Sequence, residues 1–397
     1  MEQRDRAGVS SHISCLPPEA RSRRPLRVLV IGAGVSGISV ARGLLRDGHD
    51  VTVFDQRADT RAGGGAVTIW SNGETVLRQL GVDMDGAGQL LSSVRVLTSK
   101  GHRVATLDVT TMVKRRCDTR AARVITMPDG VAVGFEDGSV VEGDLLIGAD
   151  GLHSVIRDVV GAQPAEPTGW CSWQGLVSLP EIVDREVAYI VIGEHGNTGL
   201  WPAGGSHVQW WFDLPWSHDF IRPHRPVEEI RANFAGWSDS VDLVLAKLTD
   251  EDLASSPYPH FRHPIPATLN AGPVTLLGDA AHTMPPTLAQ GTNQALLDTM
   301  VLCEAISSLG GDETRAELSR ALRWYEKTRR RQVSAVSKVA SLQVAHGESV
   351  LRPAALMSDR LHTWTLTKFV RMTSHPRIAA RIDRGLAAAS PIASCPQ

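Results

Sequence analysis

The sequence predicts an α/β chain: a doubly wound parallel domain, interrupted by a mostly antiparallel β-sheet and closed by C-terminal helices. Three observations carry this reading. The stretch Leu26 to Arg57, "LRVLVIGAGVSGISVARGLLRDGHDVTVFDQR", reads as strand, glycine turn, amphipathic helix and strand. From Trp170 to Trp216 apolar residues alternate with period two, broken by turns at Gly193, Gly196 and Gly204-Gly205. After Ala295 the apolar spacing is helical, most clearly over Glu317 to Ala345.

Bulk composition bounds the function. With 397 residues, 42% hydrophobic and 21% charged, the chain buries a large core and is long enough for two domains. A net charge of -2 gives no electrostatic footprint for nucleic acid or an anionic membrane surface. No apolar run approaches the roughly 20 residues of a membrane-spanning helix. Cys15, Cys117, Cys171, Cys303 and Cys395 are odd in number, scattered and without a CxxC. They suggest neither a disulfide framework nor a zinc site and fit a reducing cytoplasm. Met1 to Pro25, rich in Arg, Ser and Pro, reads as a disordered tail, neither secretion signal nor transit peptide. The basic cluster Lys327, Arg329, Arg330, Arg331 reads as a solvated helix face.

The first motif is a dinucleotide fingerprint. Gly32 permits a tight turn, Gly34 lets the backbone approach a pyrophosphate, and Gly37 allows close helix–strand packing. The helix that follows begins at Val35 and Ser36 and offers free N–H groups and a positive dipole end to phosphates. Asp55, at the end of the second strand, is placed to accept ribose hydrogen bonds, with Gln56 and Arg57 beside it. This motif alone does not separate NAD from FAD.

Two further motifs follow. "GVAVGFEDGSVVEGDLLIGADGLHSVIRDVVG", Gly130 to Gly161, is a hairpin and a buried strand Leu145 to Ala149, ending in Asp150-Gly151 before Arg157. "GPVTLLGDAAHTMPPTLAQGTNQALLDTMVL", Gly272 to Leu302, is a strand, Gly278-Asp279, a Pro-rich turn and a helix. In this order the three motifs resemble those of the FAD-dependent aromatic hydroxylases. These are the single-component flavoprotein monooxygenases of the para-hydroxybenzoate hydroxylase type, and the resemblance runs from about Leu26 to Ala345. It implies a Rossmann-like FAD-binding domain with an inserted substrate-domain sheet. The expected extents are 26–88, 117–165 and 262–345 for the FAD domain, 89–116 and 166–261 for the sheet, and 346–397 for a C-terminal helical segment.

The same resemblance implies roles. Asp150 and Gly151 contact FAD and help bind NAD(P)H, with Arg157 orienting the segment. Asp279, after Gly278, hydrogen-bonds the ribityl chain. Pro285 and Pro286 border the flavin ring, and Pro285 is also a catalytic candidate. The helix start at Gln290, Gly291, Thr292 and Asn293 faces the N1/O2 edge of the flavin. There the reduced ring carries negative charge, and a helix dipole is worth about 1 kcal/mol. His282 is expected to be structural, and Arg115-Arg116 match a basic segment that approaches FAD. Two departures stand out. Thr110 to Asp129 is shorter than usual, and Leu288 and Ala289 stand where the family has glycine.

The inserted sheet is rich in aromatics, expected to line an apolar pocket beside the flavin: Trp170, Trp173, Trp201, Trp210, Trp211, Phe212 and Trp216. Gln174 and His195 are candidates for orienting a substrate. The pattern is most similar to the urate-hydroxylase branch, but no arginine stands near Asn197 or Thr198 to hold urate. The resemblance thus implies a cytoplasmic monooxygenase, monomer or homodimer, with no metal and flavin-borne chemistry. It uses NAD(P)H and O2 to hydroxylate or epoxidise a small aromatic or heteroaromatic substrate. The alternative is an FAD-binding protein of the same fold, either an oxidase or dehydrogenase or an accessory protein without turnover.

Overall fold

The computed structural model describes residues 24–56, 67–84, 89–114, 125–127, 130–134, 140–182, 185–193, 196–309, 315–354 and 356–374. Arg27–Ile31 lies in a five-stranded sheet between the edge strand Asp50–Phe54 and the central strand Leu145–Gly148, all parallel. Val274–Leu276 extends it in parallel, and short Asn270–Ala271 closes the edge antiparallel. The strands RVLVI and LLIG are almost wholly apolar because both faces of this parallel sheet are covered, by helices on one side and by a small antiparallel sheet on the other. Helix Val35–Arg46 packs on helix Gly291–Ser307, which packs on the long helix Arg315–Ala354. A three-stranded antiparallel sheet, Ile125–Met127, Gly130–Gly134 and Val140–Gly143, sends Val131 and Val133 into the same core.

The inserted sheet has eight strands. From one edge they are Tyr258–Arg262, Glu166–Ser178, His207–Pro215, Asn197–Gly204, Val187–Ile192, Leu91–Thr98, Arg103–Lys114 and Thr68–Ile69. It is antiparallel except where Val187–Ile192 runs parallel to Leu91–Thr98. The hairpin expected at Lys100-Gly101 forms there. Helix Asp359–Met372 lies against Arg103–Lys114, held by the Thr106 N–H donating to Asp359 Oδ1 at 3.0 Å.

Strand alternation divides the aromatics between two faces and corrects the expectation that they share one pocket. Trp173, Trp210 and Phe212 face away from the parallel sheet. They pack with Leu200, Val208 and Leu214 on helices Pro226–Phe234 and Asp239–Lys247. Trp201 and Trp211 lie on the other face, where they join Trp70, Val94 and Ala188 at a ring separation of 5.9 Å. Register places Gln174 and Gly199 opposite Trp211, and Ser172 and Asn197 opposite Asp213, on this near face. A Cβ on Gly199 would overlap the Trp211 indole, so that ring lies flat across the strand.

The near face looks toward the parallel domain. Its edge strand brings Phe261 to 6.3 Å from His153, just after Asp150-Gly151. The His263 N–H donates to the Thr283 carbonyl at 2.8 Å, beside the Pro-rich turn. The Trp70 N–H donates to Asn293 Oδ1 at 2.8 Å. The helix expected to be capped by Ser71 or Asn72 spans Ser71–Gln79 with Trp70 at the cap position and no side-chain cap.

Candidate functional site

All three motifs meet at the C-terminal ends of the parallel strands, where such folds bind ligands. The first turn is built for close approach. Gly32 has φ 102°, and a Cβ there would strike the Ala149 carbonyl oxygen next to Asp150. A Cβ on Gly37 would overlap the Gly32 carbonyl, so helix and turn touch as the fingerprint requires. Helix Val35–Arg46 starts at Gly34 with no side-chain cap and no acid in its first turn. Its first N–H groups therefore offer a site for an anion. Asp55 Oδ2 accepts the Ala33 N–H at 2.8 Å, tying the second strand's end to the glycine turn, and Gln56 is exposed beside it.

The second motif folds against the first. Asp150 is buried, and its Oδ2 accepts from the Val155 N–H at 2.8 Å, fixing the start of the short helix Ile156–Val159. Its Oδ1 is buried without a partner among the described residues, and burial raises its carboxyl above the usual range. Gly151 has φ 79° and open space around it. Arg157 is buried and faces the third motif: Nη1 donates to the Ala280 and Ala281 carbonyls at 2.8 and 2.9 Å, and Nε donates to the Gln163 carbonyl at 3.0 Å. Burial lowers its pKa to about 10. Its geometry is that of a staple between the two loops.

In the third motif Gly278 has φ 59°, and a Cβ there would overlap Ser36 Oγ, so the Gly-Asp turn sits directly on the first helix. Asp279 is exposed, with Oδ1 beside Gly291. Pro285 is buried and Pro286 exposed at the start of the turn Pro286–Leu288. Ala289 then adopts φ 48°, the one non-glycine residue with positive φ among those described. The residue that replaces a family glycine thus carries the left-handed conformation itself. Helix Gly291–Ser307 begins at Gln290 with no side-chain cap and no acid in its first turn. Thr292 is half-buried at this open end. The Asn293 side chain is committed to protein: it donates to the Thr68 and Ala289 carbonyls at 3.0 and 2.9 Å as well as accepting from Trp70.

A buried network behind this helix was not anticipated. Arg329 is 0% exposed, which corrects its placement on a solvated face; Lys327, Arg330 and Arg331 are the exposed members of that cluster. Its Nε donates to Asp298 Oδ1 at 2.7 Å and its Nη2 to Gln294 Oε1 at 2.7 Å. Gln294 Nε2 donates to Gln290 Oε1 at 3.1 Å, so the network reaches the helix start. Asp298 Oδ2 meets His282 Nε2 at 2.5 Å and accepts the Gly278 N–H at 2.9 Å, giving His282 its structural role. Burial works to raise the Asp298 carboxyl, but His282 and Arg329 beside it hold it below the usual range. The signal was present in the sequence: Leu322, Tyr325, Arg329, Val333 and Val336 share one helical stripe, all buried.

Of the other candidates, Gln174 is exposed on the near face of the sheet. Arg57, Arg116 and His195 lie outside the described residues, as does most of the short Thr110 to Asp129 segment. Among the described residues no group of three His, Cys, Asp or Glu side chains is arranged to hold a metal, and no helix is long and apolar enough to cross a membrane. The donor set fits FAD: an uncapped helix start beside glycines that exclude any Cβ, a second uncapped helix start, and an orphaned Asp150 oxygen between them.

Comparison with known proteins agrees with this geometry. Residues 118–340 match the family described as FAD binding domain, and residues 27–84 match a FAD dependent oxidoreductase pattern. The chain is 26% identical to aurachin C monooxygenase/isomerase of Stigmatella aurantiaca, over 91% of this chain and 98% of that protein. It is 30% identical to 3-amino-4-hydroxybenzoate 2-monooxygenase of Streptomyces cremeus, over 77% of this chain and 84% of that protein. The crystal structure of Klebsiella pneumoniae HpxO complexed with FAD and uric acid superposes with a TM-score of 0.77 at 24% identity, covering 90% of this chain and 99% of that one. The chain belongs to the FAD binding domain family, among its flavoprotein monooxygenases.

Proposed function

We propose that this chain uses NAD(P)H and O2 to hydroxylate or epoxidise a small aromatic or heteroaromatic substrate. The observation that carries the reading is the convergence of the three motifs at the ends of the parallel strands, with Trp201, Trp211 and Gln174 together on one face of the inserted sheet. When bound, FAD would supply the redox chemistry that couples oxidation of NAD(P)H to insertion of one oxygen atom of O2, with the other released as water.

The chain's own residues bind and orient. The open helix start at Val35, Ser36 and Gly37 takes the pyrophosphate and Asp55 the ribose, with Gln56 and Arg57 alongside. Asp150, Gly151, Gly278 and Asp279 hold the cofactor's middle, with Arg157 fixing their loops and Arg116 approaching from outside. Pro285 and Pro286 border the ring, and the helix start at Gln290 to Asn293 favours negative charge at its edge by about 1 kcal/mol. Gln174, an amide opposite Trp211 on this face, orients the substrate, with His195 as a further candidate. The tryptophans exclude water and stack on an aromatic ring.

The monooxygenase relatives of known substrate support an aromatic ring. Asn197 offers no cation where urate would need one, so we place urate outside the substrate range. The domain extents proposed from the sequence, a cytoplasmic location suggested by free Cys171 and Cys303, and a monomer or homodimer complete the reading. The test is NAD(P)H consumption by the FAD-loaded protein across phenols and N-heterocycles under isotopically labelled O2. A product carrying one labelled oxygen supports the proposal. Substrate oxidised without label, or a protein that cannot be loaded with FAD, refutes it.

A further inference from the structure

Helix Asp359–Met372 has two faces of different chemistry. Its inner stripe is fixed to the protein. The Thr106 N–H donates to Asp359 Oδ1 at 3.0 Å, and the Asp108 N–H donates to Thr363 Oγ1 at 3.2 Å. Leu366 and Val370 pack with Trp70 and Trp201, and Phe369 packs with Met284 and Val333. Just beyond the last turn, Gln332 Nε2 donates to the Ser374 carbonyl at 3.0 Å. The helix is held along its length, so its outer stripe has a fixed orientation.

That outer stripe carries Arg360, Leu361, Trp364, Lys368, Arg371 and Met372 at helical spacing, all exposed. Trp364 is 56% exposed and Met372 68%, although apolar side chains gain by leaving water. Leu356, just before the Ser358 cap, is 91% exposed. Lys368 Nζ lies 4.6 Å from the centre of the Trp364 ring, so a cation sits on the largest apolar group of the stripe. Asp359 is the helix's one acid, and it belongs to the inner stripe, where it pairs with Arg103. The outer face is therefore apolar and cationic together. The net charge of -2 for the whole chain averages this local feature away.

We propose that this face docks on an anionic phospholipid surface, with the helix lying along it. Three features select that occupant. The stripe follows one helix of 14 residues, about 21 Å long, and such a face suits a plane. Tryptophan and long basic side chains are the combination that bilayer interfaces favour: the indole enters the headgroup boundary and the cationic tips reach the phosphates. A second copy of the chain is disfavoured, because two-fold packing of this face on itself brings like charges together. Docking of this kind needs no spanning helix, and none of the described helices is long and apolar enough to be one. It is independent of the oxygenation chemistry.

The test floats the FAD-loaded full chain with vesicles of phosphatidylglycerol and phosphatidylcholine in equal parts, against vesicles of phosphatidylcholine alone. The parent should float with the anionic vesicles, come off them at high salt, and show tryptophan emission moved to shorter wavelength. Lys368→Gln should lower the partition coefficient about fivefold, the effect of one basic charge at such a surface, and Arg360→Gln with Lys368→Gln about thirtyfold. Trp364→Ser should lower it about tenfold or more and abolish the emission shift. These substitutions replace exposed groups, so circular dichroism and flavin content should stay at parent values. The comparison of vesicle types on the parent decides the matter even where a variant fails to fold. Equal binding to both vesicle types, binding to neither, or binding unchanged in Lys368→Gln and Trp364→Ser overturns the inference. So does a dimer in sedimentation that Trp364→Ser separates, which would assign the face to a second copy.

Discussion

Replacing Arg329 by Met is the sharpest probe of what holds the cofactor domain together. The guanidinium donates to Asp298 at 2.7 Å, to Gln294 at 2.7 Å and to Gln332 at 2.5 Å, and both Arg329 and Asp298 are wholly buried. Methionine fills much of the volume but leaves Asp298 with only His282 and the Gly278 N–H, both on Oδ2, and Gln294 Oε1 without its donor. Removing one partner of a buried pair costs about 3–5 kcal/mol, because the other charge stays desolvated. For a chain of 397 residues the unfolding entropy is about 0.8 kcal/mol/K, so the thermal midpoint should fall by about 4–6 °C. Circular dichroism with flavin release reads the change. Arg331→Met, an exposed neighbour on the same helix, should stay within about 0.5 kcal/mol of the parent. Arg329→Met combined with Asp298→Asn should cost less than the two single changes added, since each alone strands the other. A midpoint within about 1 °C of the parent, or strict additivity, would refute the reasoning.

Two further outcomes follow from the same region. Ala289 sits at φ 48°, a conformation that costs a non-glycine residue about 1–2 kcal/mol. Ala289→Gly relieves it against about 0.4–1 kcal/mol of added freedom in the unfolded chain. A net gain of about 0.5–1 kcal/mol should appear as a raised urea midpoint at unchanged slope. Asp298, held below the usual carboxylate range by His282 and Arg329, contributes stability that is present above the ordinary carboxylate pKa and lost as pH falls through its lowered folded value. Urea midpoints taken from neutrality to about pH 3 should therefore fall more steeply for the parent than for Asp298→Asn; equal slopes would contradict the assignment.

How much was legible in the sequence varies with the range of the interaction. The glycine turn was readable because each glycine answers to a local need: a positive φ at Gly32 and contact with the preceding turn at Gly37. The Gly278-Asp279 and Asp150-Gly151 turns were readable as motifs at strand ends. The absence of glycine at Leu288 and Ala289 argued against a left-handed conformation there, yet Ala289 adopts one. The tryptophans were misassigned because composition counts aromatics without giving each one a face. Strand register, set by partners tens of residues away, put Trp210 among helices and Trp211 on the opposite face beside Trp201 and Trp70. Arg329 was misread because a charge suggests solvent until the carboxylate that buries it is known.

By itself the sequence determined the local devices of this protein: two open helix starts, the turns that precede them, and the apolar strands that bring those turns to one edge. Each depends on residues within a few positions of one another, where backbone sterics and hydrogen bonding leave few choices. Only the tertiary structure decided which polar side chains share a buried space. The pairing of Arg329 with Asp298, and of Ser172 with Asp213 and His260, joins residues whose spacing along the chain carries no mark of the contact. Such groups enter a low-dielectric interior only once the packed core supplies partners for them, so their roles are settled by the fold as a whole.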